Sequence, residues 1–105
     1  PDYDKEASLY LPGKYTSTVQ LGNDHADVEV VVDSSDILSI RLVNLNQTVT
    51  AMYPLVEPCM DTLAKQICEK QSLEGITYPD ENRYTSQLLL QAIDAALQKA
   101  TYPQT

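Results

Sequence analysis

The stretch ADVEVVVD, residues 26–33, decides the fold of this chain. Its apolar residues Ala26, Val28, Val30 and Val32 alternate with acidic or exposed positions, so that they all point to one side. A period of two in a run of β-branched residues predicts a β-strand with one buried face. The opposite face of this strand carries Asp27, Glu29 and Asp33 and is expected to meet water.

The segments on either side repeat the alternation. Residues 14–21 place three large apolar side chains on one face: Tyr15, Val19 and Leu21. Residues 37–44 are expected to point three others inward: Leu38, Ile40 and Leu42. Turn residues separate the three segments at 22–24 and 34–36. Three neighbouring strands with short turns predict an antiparallel meander whose apolar face needs a cover.

Two helices can supply that cover. Pro58 suits the first turn of a helix, and the residues after it form one apolar stripe: Met60, Leu63, Ala64, Ile67 and Cys68. A second helix, capped by Thr85 or Ser86, has its own stripe: Leu89, Ala92, Ile93, Ala96 and Ala100. Residues 76–78 are interpreted as a short fourth strand between the helices.

The order of elements therefore predicts an α+β fold, an antiparallel β-meander with two helices packed on one face. Residues 13–100 are expected to form the domain, residues 1–12 a lead-in segment and residues 101–105 a tail. A chain of 105 residues is long enough for one such domain and too short for two ordinary ones.

The charge balance excludes several classes of partner. Seven Lys and Arg residues stand against 15 Asp and Glu residues, which gives a net charge of −8. Such a surface repels phosphate backbones, so no nucleic-acid binding is expected. Docking to anionic lipid is disfavoured for the same reason. No apolar run approaches the roughly 20 residues of a membrane span, so we expect no direct membrane insertion of this segment.

The sequence offers little for catalysis or for metal binding. His25 is the only histidine, in a polar turn, and neither Cys59 nor Cys68 belongs to a CxxC motif. The two cysteines are nine residues apart, about 13 Å along a helix and on opposite sides of it, which argues against a disulfide between them. Either they are unpaired on the helix flanks, or one pairs with something outside this chain. We expect no catalytic residues and no metal site, and so a domain that binds or carries something.

The segment from Tyr78 to Ser86 is the most distinctive candidate for a binding site. It ends at a predicted helix N-terminus, where free N–H groups favour an anion such as phosphate. Four consecutive residues could hold a cofactor there: Arg83 and the hydroxyls of Thr85 and Ser86 for a phosphate, and Tyr84 for a flat ring. The alternative is structural: Thr85 or Ser86 caps the helix, and Arg83 pairs with Asp80 or Glu81.

Several sequence segments together resemble the FMN-binding domain family. This domain occurs in the extracytoplasmic flavin-carrying subunits of the Rnf and sodium-pumping NADH:quinone reductase complexes. It also occurs in related bacterial lipoproteins. The resemblance covers residues 12–100. It includes the opening Gly13-Lys14-Tyr15-Thr16, the valine-rich strand, the strand 37–42, Gln47-Thr48, the helix end 67–72, and Tyr84-Thr85-Ser86 followed by an alanine-rich helix over 92–100. It implies an extracytoplasmic location, secreted or membrane-anchored, and an electron-transfer role.

The chain departs from the family at the flavin attachment motif, Ser-Gly-Ala-Thr-x-Thr-Ser. Aligned on the shared Thr-Ser, the threonine that carries FMN in flavinylated members is replaced by Arg83, and the glycine by Glu81. A guanidinium cannot form the phosphoester, so covalent flavinylation at this position is excluded if the alignment holds.

Two functions are consistent with this departure. The first is a non-catalytic accessory or interaction domain that has lost its cofactor and contacts other domains of a larger secreted or membrane-anchored protein. The second is a domain that binds FMN noncovalently for electron transfer, through Arg83, Tyr84, Thr85 and Ser86. The cofactor is accordingly expected to be none or noncovalent FMN.

Overall fold

The computed structural model describes residues 9–101, and it confirms the predicted α+β fold with helices packed on one face of an antiparallel meander. The strands β1 (Gly13–Leu21), β2 (Asp24–Val32) and β3 (Ile37–Val43) lie in the order β1-β2-β3. The helices α1 (Gln47–Met52), α2 (Val56–Lys70) and α3 (Arg83–Lys99) follow, with a 3₁₀ turn at Asp80–Asn82 directly before α3. Most of the predicted lead-in and tail, residues 1–8 and 102–105, lies outside the described residues.

A tight hairpin joins β1 and β2. Leu21 pairs with Asp24, so that only Gly22 and Asn23 form the turn. Gly22 has a φ of 62°, in the left-handed region that favours glycine. A Cβ atom at this position would lie 2.5 Å from the hydroxyl of Tyr53, in the segment between α1 and α2. The turn therefore needs glycine for its backbone and for its contact with the tyrosine.

A β-bulge corrects the predicted inward face of β3. Val31 pairs with Ser39 and Val32 pairs with Ile37, so that Leu38 is an extra residue on its strand. As a result Ile37 is 2% exposed and Leu38 is 54% exposed. The prediction that Leu38 points inward is wrong, because the extra residue shifts the alternation by one. The predictions for Ile40, which is buried, and for Leu42, which packs partly buried against the core, are confirmed.

The helices cover the apolar face of the sheet as expected. α3 packs on β1 and β2, α2 packs on β3, and the two helices contact each other. Their largest fully buried side chains are Met60, Leu63 and Ile67 of α2 and Leu89 and Ile93 of α3. The short helix α1 was not predicted; the side chain of Asn46 accepts a hydrogen bond from the Val49 N–H at 2.8 Å and caps it.

The amide side chain of Gln71 joins the end of α2 to the start of β3. Its Oε1 accepts from the Ile37 N–H at 2.6 Å, and its Nε2 donates to the Ile37 carbonyl at 3.0 Å and to the Cys68 carbonyl at 2.7 Å. Gln71 itself has a φ of 55°, so that the helix ends at Lys70 rather than continuing toward Gly75. One side chain thus fixes the position of α2 along the sheet.

The predicted fourth strand at 76–78 is wrong. The backbone of Thr77 pairs instead with the side chain of Gln66, whose Oε1 accepts from the Thr77 N–H at 2.9 Å and whose Nε2 donates to the Thr77 carbonyl at 2.8 Å. The segment has no regular secondary structure and does not join the sheet; a glutamine of α2 provides the bonds that a neighbouring strand would.

The other face of the sheet is polar. Asp27 accepts hydrogen bonds from Thr18 at 3.1 Å and from Asn44 at 2.8 Å, and Arg41 forms an ion pair with Glu29 at 2.9 Å. The hydrogen bond from Asn44 and, second, that from Thr18 lower the pKa of Asp27. This face therefore has its own cross-strand network and needs no cover.

Candidate functional site

A small, partly open cavity lies between α2 and the segment that leads into α3. Its volume is about 130 Å³. One wall comes from α2 and the other from residues 78–86; the lining residues are Pro58, Cys59, Thr62, Leu63, Tyr78, Pro79, Asn82 and Ser86. We call this the α2–α3 cavity. It brings together two stretches of chain that are far apart in sequence, and it mixes apolar walls with polar atoms.

Asn82 provides an unpaired acceptor at this cavity. It occupies the N-cap position of α3, with a φ of −107°, but its side chain makes no capping hydrogen bond. Its Oδ1 is buried and has no hydrogen-bond partner among the described residues. Buried acceptors are almost always paired in native proteins, so this oxygen is an exception, but it exposes almost no surface and does not face the open part of the cavity.

Cys59 and Ser86 lie together in the cavity wall. Both are buried, and Ser86 is only 1% exposed. Burial raises the pKa of the Cys59 thiol, and a hydrogen bond with the Ser86 hydroxyl opposes this to a smaller extent. The thiol is therefore neutral at physiological pH, unlike the thiolate that a nucleophilic cysteine requires. Burial also raises the pKa of Cys68, and both cysteines are free.

The four residues predicted to hold a cofactor do not share one surface. Arg83 and Tyr84 face solvent, and the Tyr84 side chain is 74% exposed. Thr85 is partly buried, whereas Ser86 is buried and lines the α2–α3 cavity. Consecutive residues of a helix point about 100° apart, which explains the divergence.

The structural alternative for this segment is confirmed in one half and wrong in the other. Arg83 does pair with Asp80, with 3.0 Å between Nη2 and Oδ1. Neither Thr85 nor Ser86 is the N-cap, because α3 begins at Arg83 and Asn82 occupies that position. The 3₁₀ turn leads into the helix so early that the N-cap lies three to four residues before the predicted one.

The same turn uses backbone donors that a phosphate would need. The Asn82 N–H donates to the Pro79 carbonyl at 3.0 Å, and the Arg83 N–H donates to the Asp80 carbonyl. A helix N-terminus binds anions through such N–H groups, and two of them are already paired here. The Arg83 guanidinium is also paired with Asp80. A phosphate at this end of α3 would therefore have to replace existing contacts.

Two cavities formed by the described residues are small for a flavin nucleotide. The α2–α3 cavity has about 130 Å³, and a second cavity between β3 and α2, beside Arg41 and Asp61, has about 150 Å³. Sites for drug-sized ligands usually occupy about 300–1,000 Å³. Neither cavity could enclose an isoalloxazine ring with its ribityl phosphate without a large rearrangement.

Three further observations on the described residues concern metal binding, the histidine and membrane spans. Within residues 9–101, no group of three or more His, Cys, Asp or Glu side chains is placed to hold a metal ion. His25 lies exposed on β2, and its side chain makes no hydrogen bond to another described residue. No helix in this range is long and apolar enough to cross a membrane.

Comparison with known proteins finds no match, whether to a protein-family model, to a curated protein or to a solved structure.

Sequence reasoning found one wall of the α2–α3 cavity and missed the other. The segment from Tyr78 to Ser86 was singled out, but for the side chains of Arg83 and Tyr84 rather than for Asn82. The sequence does not identify the α2 wall as part of a site, because Cys59 is expected only to fill the flank of a helix or to pair outside this chain. Only the packing of α2 against α3 brings the two walls together.

Proposed function

We propose that this chain is a non-catalytic interaction domain with an FMN-binding-like fold that has lost the covalent flavin attachment motif. Its partner, by the family resemblance, is another domain of a larger secreted or membrane-anchored protein. We propose further that it contacts this partner through residues 80–84, which we call the α3 bend.

The exposure of Arg83 and Tyr84 on a well-defined backbone is the observation that carries this proposal. Tyr84 is 74% exposed, and the side chain of Arg83 is 62% exposed. Tyrosine and arginine are enriched among the residues that dominate binding energy at protein interfaces. A 3₁₀ turn followed by a helix holds the backbone of both residues in place, so that little backbone entropy is lost when a partner binds.

The ion pair between Arg83 and Asp80 supports a protein partner rather than a phosphate. Both side chains are largely exposed, which makes the pair weak and easily exchanged for contacts with another protein. A phosphate would have to displace Asp80 and approach Glu81 as well, against a net charge of −8. The alternative, noncovalent FMN binding for electron transfer, therefore has less support from the geometry.

Photocrosslinking of the purified chain to the parent protein from which residues 13–100 have been deleted tests the interaction. A benzophenone amino acid is placed at Tyr84 and, as the control, at Gln91, which is exposed on the same helix. We expect a discrete crosslinked product from position 84 that excess unlabelled wild-type chain suppresses. A competitor carrying Tyr84→Ala should be about 30-fold weaker, the loss typical of one dominant interface residue. Equal products from both positions, or equal competition by wild type and variant, would contradict the proposal.

Titration with FMN tests the alternative on the purified chain. We expect no saturable quenching of FMN fluorescence up to high micromolar concentration. Saturable quenching that is lost in Arg83→Ala would favour the FMN-binding function instead. Quenching that persists in Arg83→Ala would show that FMN binds elsewhere, and not through the predicted phosphate contact.

A further inference from the structure

We propose that two copies of this chain associate through the free edges of their β1 strands. The two strands run antiparallel across a two-fold axis, and the two three-stranded sheets join into one sheet of six strands. This inference goes beyond the proposed function, because it concerns β1 and a second copy rather than the α3 bend and another domain.

β1 is an outer strand, and its outward backbone groups are almost all unpaired among residues 9–101. Leu21 and Asp24 flank the two-residue turn, and the residues that flank such a turn are hydrogen-bonded to each other. Alternation from this pair assigns the odd-numbered residues of β1 to the bonds with β2. The even-numbered ones face the free edge: Lys14, Thr16, Thr18 and Gln20. Of their outward groups, the Thr16 carbonyl alone accepts a hydrogen bond from a described residue, the Lys99 ammonium.

β1 also lacks the features that usually protect an outer strand. Such strands are commonly short, bulged, or interrupted by proline and charges. β1 is nine residues long, pairs with β2 without a bulge and contains one charged residue, Lys14. β3, the other outer strand, has seven residues and the bulge at Leu38. The described chain before β1 pairs elsewhere, because the Leu9 and Tyr10 N–H groups donate to the Ser34 carbonyl. β1 is therefore open to a partner strand.

The sequence of β1 is complementary to itself about Ser17. When the two-fold axis passes this residue, Thr16 lies opposite Thr18 of the second copy, and Lys14 lies opposite its Gln20. All the outward-facing residues then enter hydrogen-bonded pairs, each with two backbone bonds. Threonine pairs of this kind stabilise antiparallel sheets, and no like charges face each other.

The other face of β1 matches in the same register. Tyr15 lies opposite Val19 of the second copy, and a pair of an aromatic and a β-branched side chain is favourable in antiparallel sheets. Moving the axis by one residue in either direction would leave Lys14 or Gln20 without a partner. The register about Ser17 is therefore the one that uses the whole edge.

The charge of β1 favours a second copy over a foreign strand. The chain has a net charge of −8, but β1 contains neither Asp nor Glu. Two copies can therefore meet along β1 without placing carboxylates of the two strands opposite each other. A basic foreign strand, which the net charge would attract, finds no carboxylate on β1 to pair with.

The flank of α3 at this edge suits the same contact. Lys99 bonds to Thr16 at the free edge, and Ala95 and Leu88, four and eleven residues earlier, lie on the same side of the helix. Ala95 is exposed and Leu88 is partly buried. Since α3 packs on β1 and β2, joining the sheets puts the two copies of α3 two strand spacings apart, roughly 10 Å. This is an ordinary distance for packed helices, so the two small, apolar flanks can meet.

Sedimentation equilibrium of the purified chain at physiological ionic strength tests the association. We expect the mean mass to rise from one chain toward two as the concentration increases. Thr16→Lys combined with Thr18→Lys places like charges opposite each other across the axis and should weaken the dimer roughly tenfold. Both lysines lie beside Glu29 and Asp27 of their own β2, which favours folding of the variant.

The same charge change at a distance is the control. Thr50→Lys combined with Thr62→Lys alters exposed positions of α1 and α2 and should dimerise at least as well as the wild type. Both double variants lower the net negative charge, so a loss confined to the β1 variant cannot come from repulsion between whole chains. A wild type that stays monomeric at its highest soluble concentration, or a β1 variant that dimerises like the wild type, would overturn the inference.

Hydrogen exchange on the wild type tests the contact without any variant. In the monomer the Thr16 and Thr18 N–H groups face solvent, whereas the Ser17 N–H bonds to β2. Raising the concentration should slow exchange at Thr16 and Thr18 in proportion to the dimer fraction from sedimentation, with little change at Ser17. Rates at Thr16 and Thr18 that do not depend on concentration would refute pairing through β1, whatever the measured masses.

Discussion

Replacing Gln71 tests whether one side chain fixes α2 on the sheet. Gln71→Ala removes three hydrogen bonds to the backbone of Ile37 and Cys68 and keeps the cost of a left-handed backbone at this position. Each such bond contributes about 0.5–1.5 kcal/mol net, so the variant should lose about 1.5–4.5 kcal/mol of unfolding free energy. A loss of about 3 kcal/mol, the middle of this range, corresponds to a fall in Tm of roughly 12–24 °C in a domain of this size.

A glycine variant separates the side chain from the backbone. Gln71→Gly loses the same three bonds but regains about 1 kcal/mol, because glycine adopts the left-handed conformation without strain. It should therefore lie between the wild type and Gln71→Ala in stability. Gln91→Ala is the control: Gln91 is exposed on α3, makes no side-chain hydrogen bond to a described residue, and should change stability by less than about 0.5 kcal/mol.

Urea denaturation followed by circular dichroism at 222 nm measures all three variants. The order wild type, Gln71→Gly, Gln71→Ala in midpoint, with similar slopes, is the expected result. If Gln71→Ala were as stable as the wild type, the hydrogen bonds of the Gln71 side chain would contribute nothing, and the reasoning would be refuted.

Three further predictions concern the sheet. Leu38→Ala should change stability by less than about 0.5 kcal/mol, whereas Ile40→Ala should cost about 2–4 kcal/mol in the same urea assay; similar losses would contradict the bulge. Gly22→Ala should cost about 1–3 kcal/mol through its positive φ and its contact with Tyr53, a cost that a thermal melt would detect and that an unchanged Tm would disprove. The lowered pKa of Asp27 contributes stability that is present above about pH 4 and is lost as the pH falls through the folded-state pKa. The stability difference between wild type and Asp27→Ala should therefore shrink in urea melts below that pH, and a difference that stays constant down to pH 2 would argue against it.

The fold could be predicted from the sequence where local pattern and tertiary environment agree. The alternation in β1 and β2 and the apolar stripes of α2 and α3 each point to one buried face. The structure buries most of those residues and packs Tyr15, Ala64 and Cys68 partly buried against the core. The bulge at Leu38 could not be predicted from the sequence. Leu38, Ile40 and Leu42 alternate with polar or exposed positions, as they would in a regular strand. The false strand at 76–78 also gave no local signal: Gln66, eleven residues earlier and on another element, takes the backbone bonds of Thr77.

The candidate site was predictable only in part. The segment before α3 stood out because it combines turn formers, charges and an aromatic residue. Which of its side chains point inward depends on where the helix begins, and the 3₁₀ turn before α3 shifted that point. The opposite wall comes from α2, so no pattern within either segment could reveal the cavity.

The side-chain amide of Gln71 also protects the edge of the sheet against aggregation. β3 is an outer strand, and both the N–H and the carbonyl of Ile37 point toward Gln71 rather than toward β2. Unpaired groups on such a strand are where a second chain would add its own strand and begin to aggregate. Because Gln71 already occupies these groups at the first residue of β3, intermolecular edge-to-edge pairing cannot start there while the helix stays in place.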